Sequence, residues 1–131
     1  MYKKLDKILA EISAGELMDK ITILEIKKKQ IKDNDKLKNV EKELSSLNET
    51  LKKSIPDQSK IQLLVDKLKS VNLKLWAIED GKRLAEKNND FNEKFIELAR
   101  SVYKTNDERA KIKLEINNIL GSNIKEVKSH Y

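Results

Sequence analysis

The stretch ELARSVYKTNDERAKIKLEIN, residues 97–117, belongs to a longer segment in which apolar residues recur with a helical period. The repeat alternates steps of four and three residues, which predicts an amphipathic helix with coiled-coil-like packing. Two of its positions, Thr105 and Arg109, are polar. We expect the helix to cross a polar site there, where Arg109 donates to a carboxylate or to a bound anion. The repeat consists of Phe91, Phe95, Leu98, Val102, Thr105, Arg109, Ile112, Ile116 and Ile119, and the candidate carboxylates are Glu16, Asp19, Glu25 and Glu79.

The rest of the chain shows the same period, so the sequence predicts an all-α fold. Ser13 and Glu16 have the spacing of a capping box, and this marks the start of a first helix. Asp90 and Glu93 repeat that spacing before the last helix, which Gly121 is suited to end. The four predicted helices span about 14–32, 35–53, 58–87 and 91–120.

The predicted helices form one domain, residues 1–131, built as two antiparallel helical hairpins in an elongated bundle. The long pair should reach roughly 45 Å, more than the short pair can cover. We therefore expect the uncovered apolar surface to be buried in a homodimer. Residues 1–12 fit either a short helix or an extended arm, and the tail EVKSHY is expected to be irregular.

Composition excludes several classes of function. The chain has no cysteine, which excludes disulfides and thiolate metal sites, and its one histidine, His130, lies beside the C-terminus. No apolar run reaches the roughly 18 residues that cross a membrane, and no signal peptide is evident, so we expect a cytoplasmic protein without membrane insertion. The net charge is +6, but acidic residues are interleaved with the lysines and aromatics make up only 5%. Specific nucleic-acid binding is therefore not expected.

The arginines stand out against this lysine-rich background. Of 28 basic residues only three are arginine, namely Arg83, Arg100 and Arg109, and all three fall within 83–109. A guanidinium group can grip a carboxylate or phosphate with two parallel hydrogen bonds, which an ammonium group cannot do. We take these positions as candidates for a specific anion contact.

Antiparallel pairing of the last two helices would gather polar side chains around the stripe break. With a turn near residue 89, Glu79 lies level with Arg100 and Asn72 lies level with Asn106. Two explanations stay open: a polar network that fixes the helix register, or a pocket for a small phosphate- or carboxylate-bearing ligand. The candidate ligand-binding residues are Lys20, Trp76, Glu79, Arg83, Arg100, Tyr103, Asn106, Asp107, Arg109 and Lys113.

Two other functions are alternatives to an anion-binding module. Glu16 with Asp19, and Glu79 with Asp80, are weak candidates for magnesium ligands of an all-α nucleotide-processing enzyme, because Mg²⁺ prefers carboxylate oxygens. The apolar repeats also suit a structural or scaffolding coiled coil. The sequence assigns no catalytic residue and no definite cofactor, so enzymatic activity stays open.

Three motifs in order resemble a bacterial family of helical domains of unestablished function. They are GELMDKITILEIKKKQI (15–31), LWAIED (75–80) and ELARSVYKTNDERAKIKLEIN (97–117), followed by GSNIKEVKS. The resemblance implies a setting among surface-polysaccharide and glycosyltransferase genes, and it implies no activity. The motif positions include Glu16, Asp19, Lys20, Glu25, Trp76, Glu79, Asp80, Arg100, Tyr103, Asn106, Asp107 and Arg109.

Overall fold

A computed structural model describes residues 3–127 of the chain. Within this range there are four α-helices: α1 (Ala14–Gln30), α2 (Asn34–Ser54), α3 (Gln62–Lys87) and α4 (Glu93–Leu120). A short 3-10 turn, Ser59–Ile61, precedes α3, and no strand occurs among the described residues. The prediction of an all-α fold with four main helices is confirmed. None of the helices within this range is both long and apolar enough to span a bilayer.

Ser13 caps the N-terminus of α1 as the sequence predicts, but Glu16 does not complete the expected capping box. Ser13 Oγ accepts a hydrogen bond of 3.1 Å from the backbone N–H of Glu16. The Glu16 carboxylate does not turn back to close the box, because Lys113 of α4 holds it at 2.7 Å. The cap therefore begins α1 and leaves Glu16 free to join α1 to α4.

The predicted cap of α4 at Asp90 is wrong, and Asn92 caps the helix instead. Its side-chain oxygen accepts from the N–H groups of Lys94 at 3.0 Å and Phe95 at 3.4 Å. Asp90 still belongs to the turn that closes α3, since its N–H donates to the carbonyl of Ala85 at 2.8 Å.

Gly121 ends α4 in the left-handed conformation, with φ of 63°. This backbone geometry favours glycine, which has no Cβ to clash. The predicted C-cap is confirmed.

The core lies around α1, which packs against α2 and against the α3–α4 hairpin. Its largest fully buried apolar side chains are Ile61, Leu68 and Ile116. Close approach of α1 to α4 occurs at Gly15, whose N–H donates to Asn117 Oδ1 at 2.6 Å. The other core residues are Leu17, Met18, Ile21, Leu24, Val40, Leu44, Leu51, Val71 and Ile112.

The two long helices extend beyond the two short ones, with 26 and 28 residues against 17 and 21. Gly81 of α3 faces Leu98 of α4, which agrees with the register expected from a turn near residue 89. Leu84, Phe91 and Ile96 are at least half exposed in this uncovered part. The homodimer that we expected from the lengths of the predicted helices stays a prediction.

The segment before α1 forms an extended arm and no helix over residues 3–12. Leu5, Ile8 and Leu9 are between 80% and 89% exposed, so no apolar surface of the bundle is there to order them as a helix. Glu11 accepts a hydrogen bond from Asn123 at 2.5 Å, which ties the end of the arm to the segment after α4. Of the predicted irregular tail, residues 126 and 127 are irregular; residues 128–131, including His130, lie outside the described range.

Candidate functional site

The buried carboxylate of Asp19 binds Arg109, one of the two polar residues that interrupt the α4 stripe. Asp19 is only 1% exposed. Arg109 binds it with two parallel hydrogen bonds, from Nε to Oδ1 at 2.9 Å and from Nη2 to Oδ2. Asn72 of α3 donates to the same Oδ1 at 3.0 Å. Of the four carboxylates predicted as partners for Arg109, the structure selects Asp19.

Thr22 and Asn72 extend this network so that one cluster joins three helices. The Thr22 hydroxyl donates to the backbone carbonyl of Asp19 at 2.9 Å and accepts from the Asn72 amide at 3.0 Å. Within residues 3–127, no buried polar side-chain atom lacks a hydrogen-bond partner. The cluster therefore resembles the register-fixing network that the sequence left open as one explanation, because each of its polar groups is satisfied inside the protein.

Lys113 lies one helical turn beyond Arg109 and contacts three carboxylates. Its ammonium group is 2.7 Å from Glu16, 3.0 Å from Glu126 and 3.7 Å from Asp19. The side chain of Lys113 is 11% exposed, whereas that of Glu126 is 66% exposed. Lys113 and Arg109 are thus both neutralised by carboxylates of the same chain.

These contacts shift the pKa values of Asp19, Arg109 and Lys113 toward the ionised forms of the three side chains. Burial would raise the pKa of Asp19, but hydrogen bonds from Arg109 and Asn72 and the nearby cations hold it below its ordinary value. The hydrogen bond to Asp19 raises the pKa of Arg109 despite partial burial. Burial would lower the pKa of Lys113, but hydrogen bonds to Glu16 and Glu126 raise it overall.

Because the pKa of Asp19 is lowered, the free energy of unfolding should decrease at low pH. The unfolded chain takes up this proton at a higher pH than the folded chain, so stability falls as pH drops below the ordinary carboxyl pKa of 3.8. We expect unfolding free energy in that window to fall more steeply for wild type than for Asp19→Asn, by at most about 1.4 kcal/mol per pH unit. Urea unfolding of both proteins between neutral pH and pH 2.5 measures the two slopes. Parallel curves would contradict the ion pair as a source of stability.

A groove that we call the polar groove lies between α1, α4 and the segment after α4. Its volume is about 800 Å³. Arg109 and Lys113 line it, and so do Glu16 and Glu126, the two carboxylates closest to Lys113. Its other polar lining residues are Asn106, Asp107, Lys111 and Asn117.

A second groove, the Trp groove, is lined mainly by α1 and α3 and has a volume of about 500 Å³. Trp76 is half-buried in its wall, and Arg109 also lines it. Within residues 3–127, the side chains of Lys27 and Arg83 form no hydrogen bond or ion pair, although both line this groove. The remaining lining residues are Ile23, Ile26, Asn72, Leu75, Glu79 and Asp80.

The comparison with protein families matches residues 8–131 to a model described as a family of unknown function (DUF6165). The chain belongs to the DUF6165 family. No curated protein and no solved structure gave a significant match. Membership agrees with the resemblance to a helical domain family of unestablished function, and the setting among polysaccharide genes stays a prediction. In this DUF6165 chain the lining residues of both grooves lie within the matched range.

The structure divides the candidate ligand-binding residues between the two grooves. Asn106, Asp107 and Lys113 line the polar groove, Trp76, Glu79 and Arg83 line the Trp groove, and Arg109 lines both. Lys20 lies beside the polar groove, 3.8 Å from Glu16. Arg100 and Tyr103 are exposed on α4 and line neither groove.

Sequence reasoning missed Lys27 and Glu126. Lys27 follows Ile23 by one helical turn on α1, so the two side chains share a face. The spacing can be read from the sequence, but it does not predict that α3 lies against this face of α1. Glu126 lies beyond the last helix, and no periodicity predicts where such a segment folds.

The candidate magnesium ligands occupy two separate places. Glu16 and Asp19 face Lys113 and Arg109, and Glu79 is 3.5 Å from Lys82 on its own helix. Within the described range, no three His, Asp or Glu side chains are grouped so that they could hold a metal ion.

Proposed function

We propose that this DUF6165 protein is a binding module that holds a small anionic ligand in the Trp groove. The observation that supports the proposal is the position of Lys27 and Arg83. Both line a concave surface beside Trp76, and neither forms a side-chain hydrogen bond or ion pair within residues 3–127. A groove with apolar walls and a few convergent charged groups is the usual form of a small-molecule site.

The polar groove is the weaker candidate for an anion because the two less exposed cations that line it already have partners, whereas Lys111 is exposed. Arg109 is bound to Asp19, and Lys113 is bound to Glu16 and Glu126. An anion that binds Arg109 or Lys113 there would have to displace a carboxylate of the same chain. In the Trp groove, an anion would meet Lys27 and Arg83 without breaking any ion pair among the described residues.

The two cations suit a phosphate or carboxylate group. Arg83 offers a planar set of donors that matches two oxygens at once, and Lys27 offers a compact charge from the opposite helix. The neighbouring apolar walls of Ile23, Ile26 and Leu75 remove water from one side of the groove. Removal of water strengthens an electrostatic contact at the rim.

The proposal predicts anion binding that depends on Lys27 and Arg83. The Lys27→Ala/Arg83→Ala protein should bind at least about tenfold more weakly than wild type, since hydrogen bonds to charged groups contribute roughly 1.5–3 kcal/mol. Thermal-shift screening against pyrophosphate, sugar phosphates, nucleotides and nucleotide sugars finds the ligand, and calorimetry measures the affinity.

Lys29→Ala/Lys74→Ala is the matched control because it removes the same charge from the same two helices. Lys29 is two residues from Lys27, and Lys74 is nine residues from Arg83, so each lies on the opposite face of its helix. This control should bind like wild type. Equal weakening by both pairs would show only a loss of net positive charge and would overturn the proposed site.

A further inference from the structure

We infer that the ligand of the Trp groove carries a planar aromatic or heteroaromatic ring that stacks on Trp76, together with an anionic group bound by Lys27 and Arg83. The inference rests on the proposed function and adds the chemical class of the ligand to it. An inorganic anion would use only the two cations. The apolar part of the groove would then have no role.

The indole of Trp76 is available for stacking. Trp76 is the single tryptophan of the chain and is half-buried in the groove wall. The aromatic ring contact among the described residues joins Phe91 to Phe95, with ring centres 5.3 Å apart. Trp76 has no such ring contact within residues 3–127, so its face is not used by another aromatic of that range. Flanked by Ile23, Ile26 and Leu75, the indole forms an apolar slot suited to a flat ring.

The spacing of the charges relative to Trp76 fits a ligand with a ring at one end and an anion at the other. Arg83 follows Trp76 by seven residues, or two helical turns, which is roughly 10 Å along α3. Its long side chain can reach part of the way back along the groove. Lys27 lies one turn beyond Ile23 on α1. A ring stacked on Trp76 therefore places a substituent on a short linker within reach of both cations.

Asp80 adds a hydrogen-bond acceptor beside the ring. It lies one turn after Trp76 on α3, lines the groove and forms no side-chain hydrogen bond or ion pair within the described range. A carboxylate there would repel a simple anion but would accept from an N–H or O–H group of the ligand. The groove thus combines a stacking surface, an acceptor and two cations, which favours a heteroaromatic ring bearing hydrogen-bond donors and one phosphate or carboxylate.

Three matched probes separate the parts of this ligand: adenosine 5′-monophosphate, adenosine and ribose 5-phosphate. Because Trp76 is the single tryptophan, excitation at 295 nm reports on this groove alone. Adenosine 5′-monophosphate should quench the emission and bind at least about tenfold more tightly than ribose 5-phosphate, since stacking on an aromatic side chain has that scale of effect. Calorimetry with Trp76→Ala should show that this advantage is lost, and Trp76→Phe should keep part of it.

The possible results distinguish the two proposals. If ribose 5-phosphate binds as tightly as the nucleotide and Trp76→Ala changes neither, the ring inference is overturned and the anion site stands. If adenosine binds as tightly as the nucleotide, the role of Lys27 and Arg83 is overturned. If none of the three probes binds wild-type protein that is folded by circular dichroism, the ring inference is overturned, and the thermal-shift screen with pyrophosphate and sugar phosphates tests the anion site separately.

Discussion

Replacement of Arg109 by leucine should lower the free energy of unfolding by on the order of 3–5 kcal/mol. The substitution restores the apolar repeat of α4, so from the repeat alone it would be expected to stabilise the helix. It also leaves Asp19 ionised, 1% exposed and without the two hydrogen bonds that now balance its burial. Asn72 and the more distant Lys113, 3.7 Å away, would then be the remaining polar partners of the Asp19 side chain. Loss of the main partner of a buried charge costs more than a completed stripe contributes, so we expect the charge to decide the outcome.

Arg100→Leu is the matched control for this experiment. It makes the same substitution on the same helix at an exposed position without a side-chain partner among residues 3–127. Its unfolding free energy should stay within about 0.5 kcal/mol of wild type. Urea denaturation of both variants gives the comparison. A midpoint for Arg109→Leu equal to or above that of wild type would show that the arginine is not an essential partner of Asp19, and it would return Arg109 to a role in ligand binding.

The helices could be predicted from the sequence because their apolar period and their caps are local signals. The failure at Asp90 shows the limit of that approach. Asp90 and Glu93 have the spacing of a capping box, but the backbone N–H of Asp90 is bonded within the turn that closes α3. The α4 helix therefore begins at Glu93, with Asn92 as its cap. Asp90 and Asn92 are both residue types that cap helices, and residue spacing alone does not show which of the two caps is more stable.

The partner of Arg109 could be predicted only as one of four carboxylates. A short turn fixes the register within the α3–α4 hairpin, and Gly81 does face Leu98 as expected. No such turn relates α1 to that hairpin, so the pairing of Asp19 with Arg109 and Asn72 depends on how three helices pack together. Periodicity identifies which face of α1 is buried, but it does not give its position along α4.

The same missing information explains why one predicted constellation became two grooves. Trp76 and Arg83 of α3 and Asn106 of α4 were expected around a common site. The packed contact of Asp19 with Asn72 and Arg109 separates them, with Asn106 in the polar groove and Trp76 and Arg83 in the Trp groove. The sequence showed that these residues are polar and share helix faces, and it contained no signal for the closed contact between them.

Gly15→Ala should be nearly as damaging as the loss of Arg109, although alanine is the better helix former by about 1 kcal/mol. A Cβ at this position would overlap the backbone carbonyl oxygen of Lys113 and lie 3.0 Å from Asn117 Oδ1. Neither helix backbone can yield locally, so α1 would have to move away from α4. That movement would lengthen the 2.6 Å hydrogen bond from Gly15 to Asn117 and disturb the pair of Asp19 with Arg109. We expect a loss on the order of 3 kcal/mol from steric overlap and the weakened hydrogen bond together.

Gly81→Ala provides the control, because it makes the same change inside a helix where the neighbour can move. A Cβ at Gly81 would lie 3.2 Å from Cδ1 of Leu98, a side chain that can adjust its rotamer. The gain in helix propensity should offset that small rearrangement and leave stability unchanged or slightly higher. Thermal and urea unfolding give the stability of the two alanine variants. The difference between them compares a steric clash with backbone at Gly15 and one with a side chain at Gly81. If Gly15→Ala unfolds at the same midpoint as Gly81→Ala, α1 can separate from α4 at little cost, and the Asp19 cluster does not need the close helix contact that we assign to it.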